Sequence, residues 1–272
     1  MSEEGRPQGN RLDIERTVNI ALPVTIFLLA VAGWEALVRW KEIPPYVLPA
    51  PSLIAATMVK DWAILSASMW VTLKITFSAI LLAIAGGGGL AILFAQWKWV
   101  ERSFFPFAVV LQVTPIIAIA PLLLVYLDPN TAVLVCAFIV AFFPILSNTA
   151  LGLASADHNL RELFELYGAS RWQQLIHLRL PSALPYFLGG LRIGGGLALI
   201  GAIVAELAAG SAGQGSGLAY RIVEAGFRLN IPRMFAALVL VSVTGIAIFL
   251  FFTALSRLLL GRWHDSAIDR KN

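Results

Sequence analysis

Long apolar runs alternate with short polar pieces along this chain, and the run lengths predict helices that cross a bilayer. Spanning the hydrocarbon core takes about 20 residues of helix, because lipid offers the backbone no hydrogen-bond partner and a helix satisfies its own groups. Residues 17–34, 75–97, 103–127, 129–156 and 234–256 contain no Asp, Glu, Lys or Arg and predict five spans. A sixth is expected over 186–209, where Arg192 and Glu206 flank an uncharged stretch and can reach the two interfaces. The expected fold is an all-α integral membrane protein of about six transmembrane helices, with residues 1–272 as a single membrane domain.

The polar pieces predict how the spans connect. Pro44, Pro45, Pro49 and Pro51 follow the first run and favour an extended connector, since proline fixes its own φ and restricts the residue before it. Ser52 is placed to cap a surface helix over 53–66, in which Lys60, Asp61 and Trp62 suit a membrane interface. The piece 96–103 carries tryptophans and basic residues that anchor at headgroups, and Asp128-Pro129-Asn130 reads as a tight turn. Two connectors are long, 155–183 and 210–233. The second opens with four glycines in eight residues and continues into an amphipathic helix over 218–227, with Ile222, Val223 and Phe227 on one side. It reads either as a flexible connector with an interfacial helix or as a contact for a soluble protein.

Composition agrees with a membrane solvent: 58% of residues are hydrophobic and 13% charged, against about a quarter charged in soluble domains. Of the 20 Lys and Arg residues, six (Arg39, Lys41, Lys60, Arg221, Arg228, Arg233) fall on the side opposite the N-terminus. Lys74 is unassigned, and the remaining 13 share the N-terminal side. By the positive-inside rule both termini, 1–16 and 260–272, are expected to be cytoplasmic tails. The polar tail before the first run has no small-residue cleavage site, which predicts an uncleaved first helix. Cys136 is the sole cysteine and reads as a small buried hydrophobe. The net charge of +4 calls for anionic membrane lipid and topology alone, with no nucleic-acid partner.

The connector 155–183 carries the most informative chemistry. Asp157 is a good N-cap for a helix whose Leu160, Leu163, Phe164 and Tyr167 form an apolar stripe at i, i+3, i+4 and i+7. Gly168 sits where a helix ends on a left-handed residue, and Ser170 can cap a second helix running to Pro181. Two short helices meeting at a glycine make a compact knob with an apolar side. Such a knob either docks a soluble partner or lies on the membrane surface.

The spacing of Glu162, Gly168, Leu178, Leu180 and Pro181 matches the pattern Glu-Ala-Ala, three residues, Gly, nine residues, Ile, any residue, Leu-Pro. It resembles the loop by which permeases of bacterial ABC importers engage their ATPase subunits. The resemblance extends to residues 48–52, to Gln112-Val113-Thr114-Pro115 and to residues 178–206, and it is nearest to the nitrate, sulfonate, taurine and bicarbonate group, which also includes importers of pyrimidine-type precursors. Departures are Leu163 and Phe164 in place of the two alanines, and Leu178 in place of isoleucine.

The resemblance implies a type I importer permease with cytoplasmic coupling helices in a bacterial inner membrane. It implies a homodimer enclosing the path, a cytoplasmic ATPase dimer that carries ATP and Mg, and an external substrate-binding protein. The chain itself would bind no cofactor and be no enzyme. The coupling set is then Asp157, Arg161, Glu162, Leu163, Phe164, Tyr167, Gly168, Ala169, Ser170, Leu178, Leu180 and Pro181. The substrate implied is a small anion or a small heterocyclic nutrient.

For the path, polar residues inside apolar spans are the candidates: Gln112 and Thr114, Ser147 and Asn148, and Glu206, whose other reading is snorkelling or a salt bridge to Lys74 or Arg221. Lys74 reads as snorkelling, and Pro115, Pro121 and Pro144 as kinks. The glycine runs 86–89 and 194–196 lack the following lysine of a phosphate loop and read as sites of close helix packing. An intramembrane hydrolase is disfavoured: His158, His177 and His264 all fall in predicted cytoplasmic pieces, and Gly213-Gln214-Gly215-Ser216-Gly217 lacks a nucleophile's strand context. His158 and His177 lie too far apart for a metal site. A stand-alone secondary transporter or channel is the alternative, although no inverted repeat or midplane ionisable group is evident.

Overall fold

The computed structural model describes residues 8–210 and 216–261. The expectations for residues 1–7 (with Arg6), for Gly213, Gln214 and Gly215, and for 262–272 (with His264) lie outside the described residues. Among the described residues the fold is all helix: α1 (Gln8–Trp40), α2 (Pro51–Lys60), α3 (Trp62–Gln96), α4 (Lys98–Val113), α5 (Ile116–Tyr126), α6 (Pro129–Ala154), α7 (His158–Leu166), α8 (Arg171–Ala209), α9 (Leu218–Phe227) and α10 (Ile231–Leu260). Five of these are long and apolar enough to cross a membrane, and the pair α4 and α5 makes a sixth if counted as one bent span.

The centre is the antiparallel pair α6 and α8, which approach closely because glycines remove the side chains between them. A Cβ built at Gly152 would lie 2.8 Å from the Ala183 Cα, one at Gly190 2.9 Å from the Pro144 carbonyl oxygen, and one at Gly201 3.0 Å from the Ala137 Cα. In lipid no hydrophobic drive pulls helices together, so such backbone contact, summed over many van der Waals pairs, holds them. The predicted packing role holds for part of the glycine runs: Gly87 meets α6, Gly194 meets Ile145 and Gly195 meets Phe252, whereas Gly88, Gly89 and Gly196 have nothing within 4 Å. Phe138 on α6 touches three of the bundle's apolar clusters, which α3, α4, α5 and α10 complete.

Several predicted boundaries change. The run 103–127 is no single helix: α4 and α5 meet at 99°, because Pro115 lacks an N–H and holds Thr114 extended at φ −74°, ψ 123°. The surface helix ends at Lys60 rather than 66, and the next span starts at Trp62, well before 75. Ser52 does not cap α2. Pro51 opens that helix, while the Ser52 N–H and hydroxyl donate to Glu35 at 3.0 and 2.8 Å. Asp61, between α2 and α3, is buried and pairs with Arg233 at 2.6 Å. Asp128-Pro129-Asn130 is a helix start, with Asp128 accepting from the Thr131 N–H at 3.0 Å. Pro181 ends nothing: the chain runs as one helix from Arg171 to Ala209 through a wider π turn at Leu175–Arg179. Pro121 and Pro144 likewise sit inside continuous helices.

Helix α9 forms as predicted over Leu218–Phe227, but only part of the predicted side packs: Ile222 joins the buried Leu218, with Ala219 and Ala225 also buried, whereas Phe227 is exposed. Arg221 stitches it to α3 by donating to Ser68 at 2.8 Å, and within α9 the same side chain pairs with Glu224 at 2.7 Å. That hydrogen bond holds the Glu224 carboxyl below its ordinary pKa. Helix α1, by contrast, is largely bare along its apolar stretch and is held at its end by Glu35 and by Trp34 against Phe235.

Gly190→Ala is expected to destabilise the purified protein by about 1–3 kcal/mol, since the methyl group has no room between α6 and α8. Gly196→Ala, in open space, should be neutral or slightly stabilising. Unfolding midpoints in micelles, followed by circular dichroism, check this; equal midpoints would remove the close-packing account.

Candidate functional site

The connector after α6 is built from local capping. Asp157 accepts from the N–H groups of Asn159 and Leu160 at 2.8 and 3.1 Å, satisfying donors that a first helical turn leaves orphaned. Helix α7 then closes on a Schellman motif: Gly168 N–H donates to the Glu165 carbonyl and Ala169 N–H to the Phe164 carbonyl, both at 2.9 Å. Gly168 has φ +68°, a region that a side-chain-bearing residue enters at a cost of about 1–2 kcal/mol. Ser170 starts α8 with a full capping box, its hydroxyl accepting from the Gln173 N–H and its own N–H donating to Gln173 Oε1 at 2.7 Å.

This places the predicted coupling residues in two groups. Glu162, Leu163 and Tyr167 are exposed, Tyr167 by 82%, with Glu162 Oε1 2.9 Å from His158 Nε2. Leu166, at 85%, and Trp172, at 61%, extend the same apolar exposure beyond the predicted stripe, while Phe164 is half-buried. Leu178 is buried in the bundle, Pro181 is half-buried within α8, and Leu180 is partly exposed. Arg161 is half-buried, and its Nε is buried without a hydrogen-bond partner. The knob is therefore one short helix, α7, joined through Gly168–Ser170 to the first turn of a span, because the second predicted helix is the root of α8.

The five path candidates are dispersed within one chain. Gln112 is exposed, and Thr114 donates to the Val110 carbonyl at 2.6 Å beside the α4–α5 break. Asn148 donates to the Pro144 carbonyl at 2.8 Å and packs on Gly190, with Ser147 beside it. Glu206 is sixteen residues along α8 from Gly190, about 24 Å at the helical rise. There it is 5% exposed and accepts from the Thr72 hydroxyl at 2.8 Å and the Ala219 N–H at 3.0 Å, while Leu218 N–H donates to Thr72 at 2.9 Å. Neither Lys74 nor Arg221 pairs with it; Arg221 engages Ser68 and Glu224. A Cβ at Gly217 would collide with the Glu206 carboxylate. Glu206 thus fastens the start of α9 to α3 and α8.

Two features escaped the sequence reading. A cavity of about 380 Å³ lies between α3 and α6, where Trp70, Lys74, Ser78, Asn130 and Thr131 give it an amine, an indole and several hydrogen-bonding groups. Arg192 is exposed and lies two residues from Gly190, which packs at Pro144, near the middle of α6. Its guanidinium lies 5.7 Å from the Phe249 ring, and it makes no ion pair among the described residues. The signal for Arg192 was its charge, misplaced at a span end because α8 begins earlier than expected.

A bundle of five or six apolar spans bearing a capped, glycine-broken loop at one end defines a multi-pass membrane protein. The chain belongs to the family described as "Binding-protein-dependent transport system inner membrane component", whose model matches residues 83–262, and so to the permeases of ABC importers. It is 34% identical over 253 residues to the riboflavin transport system permease protein RibX of Chloroflexus aurantiacus, covering 91% of each chain. It is 32% identical over 249 residues to the formylaminopyrimidine transport permease protein ThiX of Halalkalibacterium halodurans, covering 91% of this chain and 98% of that one. To the putative aliphatic sulfonates transport permease protein SsuC of Bacillus subtilis it is 30% identical over 253 residues, covering 91% and 87%. Its fold matches a solved chain titled "Crystal structure of an amino acid ABC transporter with histidines" with a TM-score of 0.61 at 19% identity, covering 76% of this chain and 97% of that one.

Asp157→Ala should cost α7 about 1 kcal/mol, about a fivefold rise in amide exchange over residues 159–162 with the spans unchanged. Glu206→Ala should leave the buried Ala219 N–H unpaired, costing about 1–3 kcal/mol and raising exchange at 218–222. Hydrogen–deuterium exchange checks both, and unaltered rates would refute the capping and fastening roles.

Proposed function

We propose that this chain is the translocation subunit of a binding-protein-dependent ABC importer, working as a homodimer in the inner membrane with both termini in the cytoplasm. Its partners are a cytoplasmic ATPase dimer, which holds ATP and Mg, and a soluble protein that delivers substrate outside. The observation that carries this reading is the loop: an apolar, exposed α7 pinned by Asp157, Gly168 and Ser170 to the root of α8. A capped helix joined this directly to a span carries movement of a docked protein into that span. The exposed Leu163, Leu166, Tyr167 and Trp172 are the groups a soluble partner would cover.

Arg192 supports the second copy. A guanidinium at mid-span faces lipid only at high cost, so its side of α8 belongs against the path or a neighbouring subunit. For substrate, the cavity bearing Lys74 and Trp70 suits a small anion or a flat heterocycle, in keeping with the riboflavin, formylaminopyrimidine and sulfonate names of the relatives.

The test is ATP hydrolysis by the chain co-purified in lipid with its ATPase and binding protein, across a panel of small anions and heterocycles. Substrate-loaded binding protein should stimulate the wild type. Gly168→Arg should abolish that stimulation or release the ATPase while the membrane fold persists, since φ +68° resists a side chain although open space surrounds the site. Normal stimulation in the variant, or transport persisting without any ATPase, would overturn the proposal.

A further inference from the structure

At the loop end of the bundle lies a partly open cavity of about 500 Å³, whose lining takes Arg161 from the coupling set but none of the exposed apolar side chains Leu163, Leu166, Tyr167 and Trp172. Its charged lining is Lys98, Glu101, Arg161, Glu165, Arg171 and Arg179, drawn from α4, α7 and α8. The buried Phe94 and Leu153 form its apolar floor.

The charges do not balance. Lys98 and Glu101 neutralise each other at 3.0 Å. That leaves three arginines facing one carboxylate, Glu165, which makes no ion pair among the described residues, for a net charge of two positive. Arg161, Glu165 and Arg171 all lie close enough to act electrostatically on Arg179.

Hydrogen bonding is incomplete as well. Arg179 Nη1 donates to the Ala95 carbonyl at 2.8 Å, which fixes the guanidinium at the end of α3. Its Nε, like the Nε of Arg161, is buried with no acceptor. Buried N–H groups of charged side chains are ordinarily paired, and guanidinium forks match the paired oxygens of a phosphate. Like-charged guanidinium groups held together over an apolar floor call for an anion that accepts several hydrogen bonds at once.

We infer that this cavity is a binding site for a phosphate group, held by Arg161, Arg171 and Arg179 at the root of the coupling loop. Its position, one turn from the exposed Trp97 and Trp99 that suit a headgroup layer, admits the phosphate of an anionic lipid. Soluble inorganic phosphate offers the same chemistry. Occupancy would tie α7 to the ends of α3, α4 and α8, so the site would set how firmly the loop is held, whichever protein docks on it.

The experiment uses the purified full-length chain without ATPase, so its result is independent of the importer reading. In one arm the delipidated protein is titrated with inorganic phosphate and followed by tryptophan fluorescence. In the other it is reconstituted with phosphatidylglycerol, and retained lipid is counted by native mass spectrometry. Retention of phosphatidylglycerol without saturable phosphate binding assigns the lipid source; saturable phosphate binding without retained lipid assigns the soluble one. In either case Arg161→Gln/Arg179→Gln should weaken binding by at least about tenfold. Lys60→Gln, at the opposite end of the bundle, should leave it unchanged. Glu165→Gln removes the opposing charge and should tighten binding, a change of sign that a poorly folded protein would not produce. Absence of binding to both probes in the wild type, equal binding by the double variant, or weaker binding by Glu165→Gln would overturn the assignment.

Discussion

The close approach of α6 and α8 is the contact on which the rest of this structure depends. Lipid solvates apolar side chains as well as a helix neighbour does, so the pair is held by fit, and fit here means glycine facing backbone at Gly152, Gly190 and Gly201. Both helices also lead into the loop, α6 ending three residues before Asp157 and α8 beginning just after Ser170. Whatever moves α7 therefore acts on the two helices that are least free to separate.

The loop end and the far end of the bundle are built on opposite principles. At the far end, the more buried charged groups have partners: Asp61 with Arg233, Arg221 with Glu224, and Glu206 with a hydroxyl and a backbone amide. At the loop end, arginines crowd a cavity with too few partners, while apolar side chains stand in the open on α7. A membrane subunit that works with soluble proteins has reason to be finished on one side and incomplete on the other, since the incomplete side is where other molecules supply the missing contacts.

Much of the fold was legible from the sequence because lipid imposes a single rule on the backbone, and apolar run length reports it. The capping signals of the loop were equally local: Asp157, Gly168 and Ser170 act on neighbours one to five residues away, and each sits in the geometry its type favours. Membership in the ABC importer permeases followed from the same stretch. Boundaries failed where apolarity continued through a change of direction or a proline. The α4–α5 break and the unbroken passage through Pro181 both lie inside apolar or mixed sequence that hydropathy cannot divide.

The sequence by itself thus determined an all-helical membrane protein with a capped, glycine-hinged loop, because bilayer cost and helix capping act within one segment. Only the tertiary structure decided what the charged residues do. Glu206 became a fastener because Thr72 and Ala219, far apart along the chain, arrive beside it. Arg192 came to lie near the middle of a helix because α8 starts at Arg171, and the arginines of the loop became a cluster because three helices converge there. A charge is assigned by its neighbours, and neighbours in a bundle are set by packing between segments.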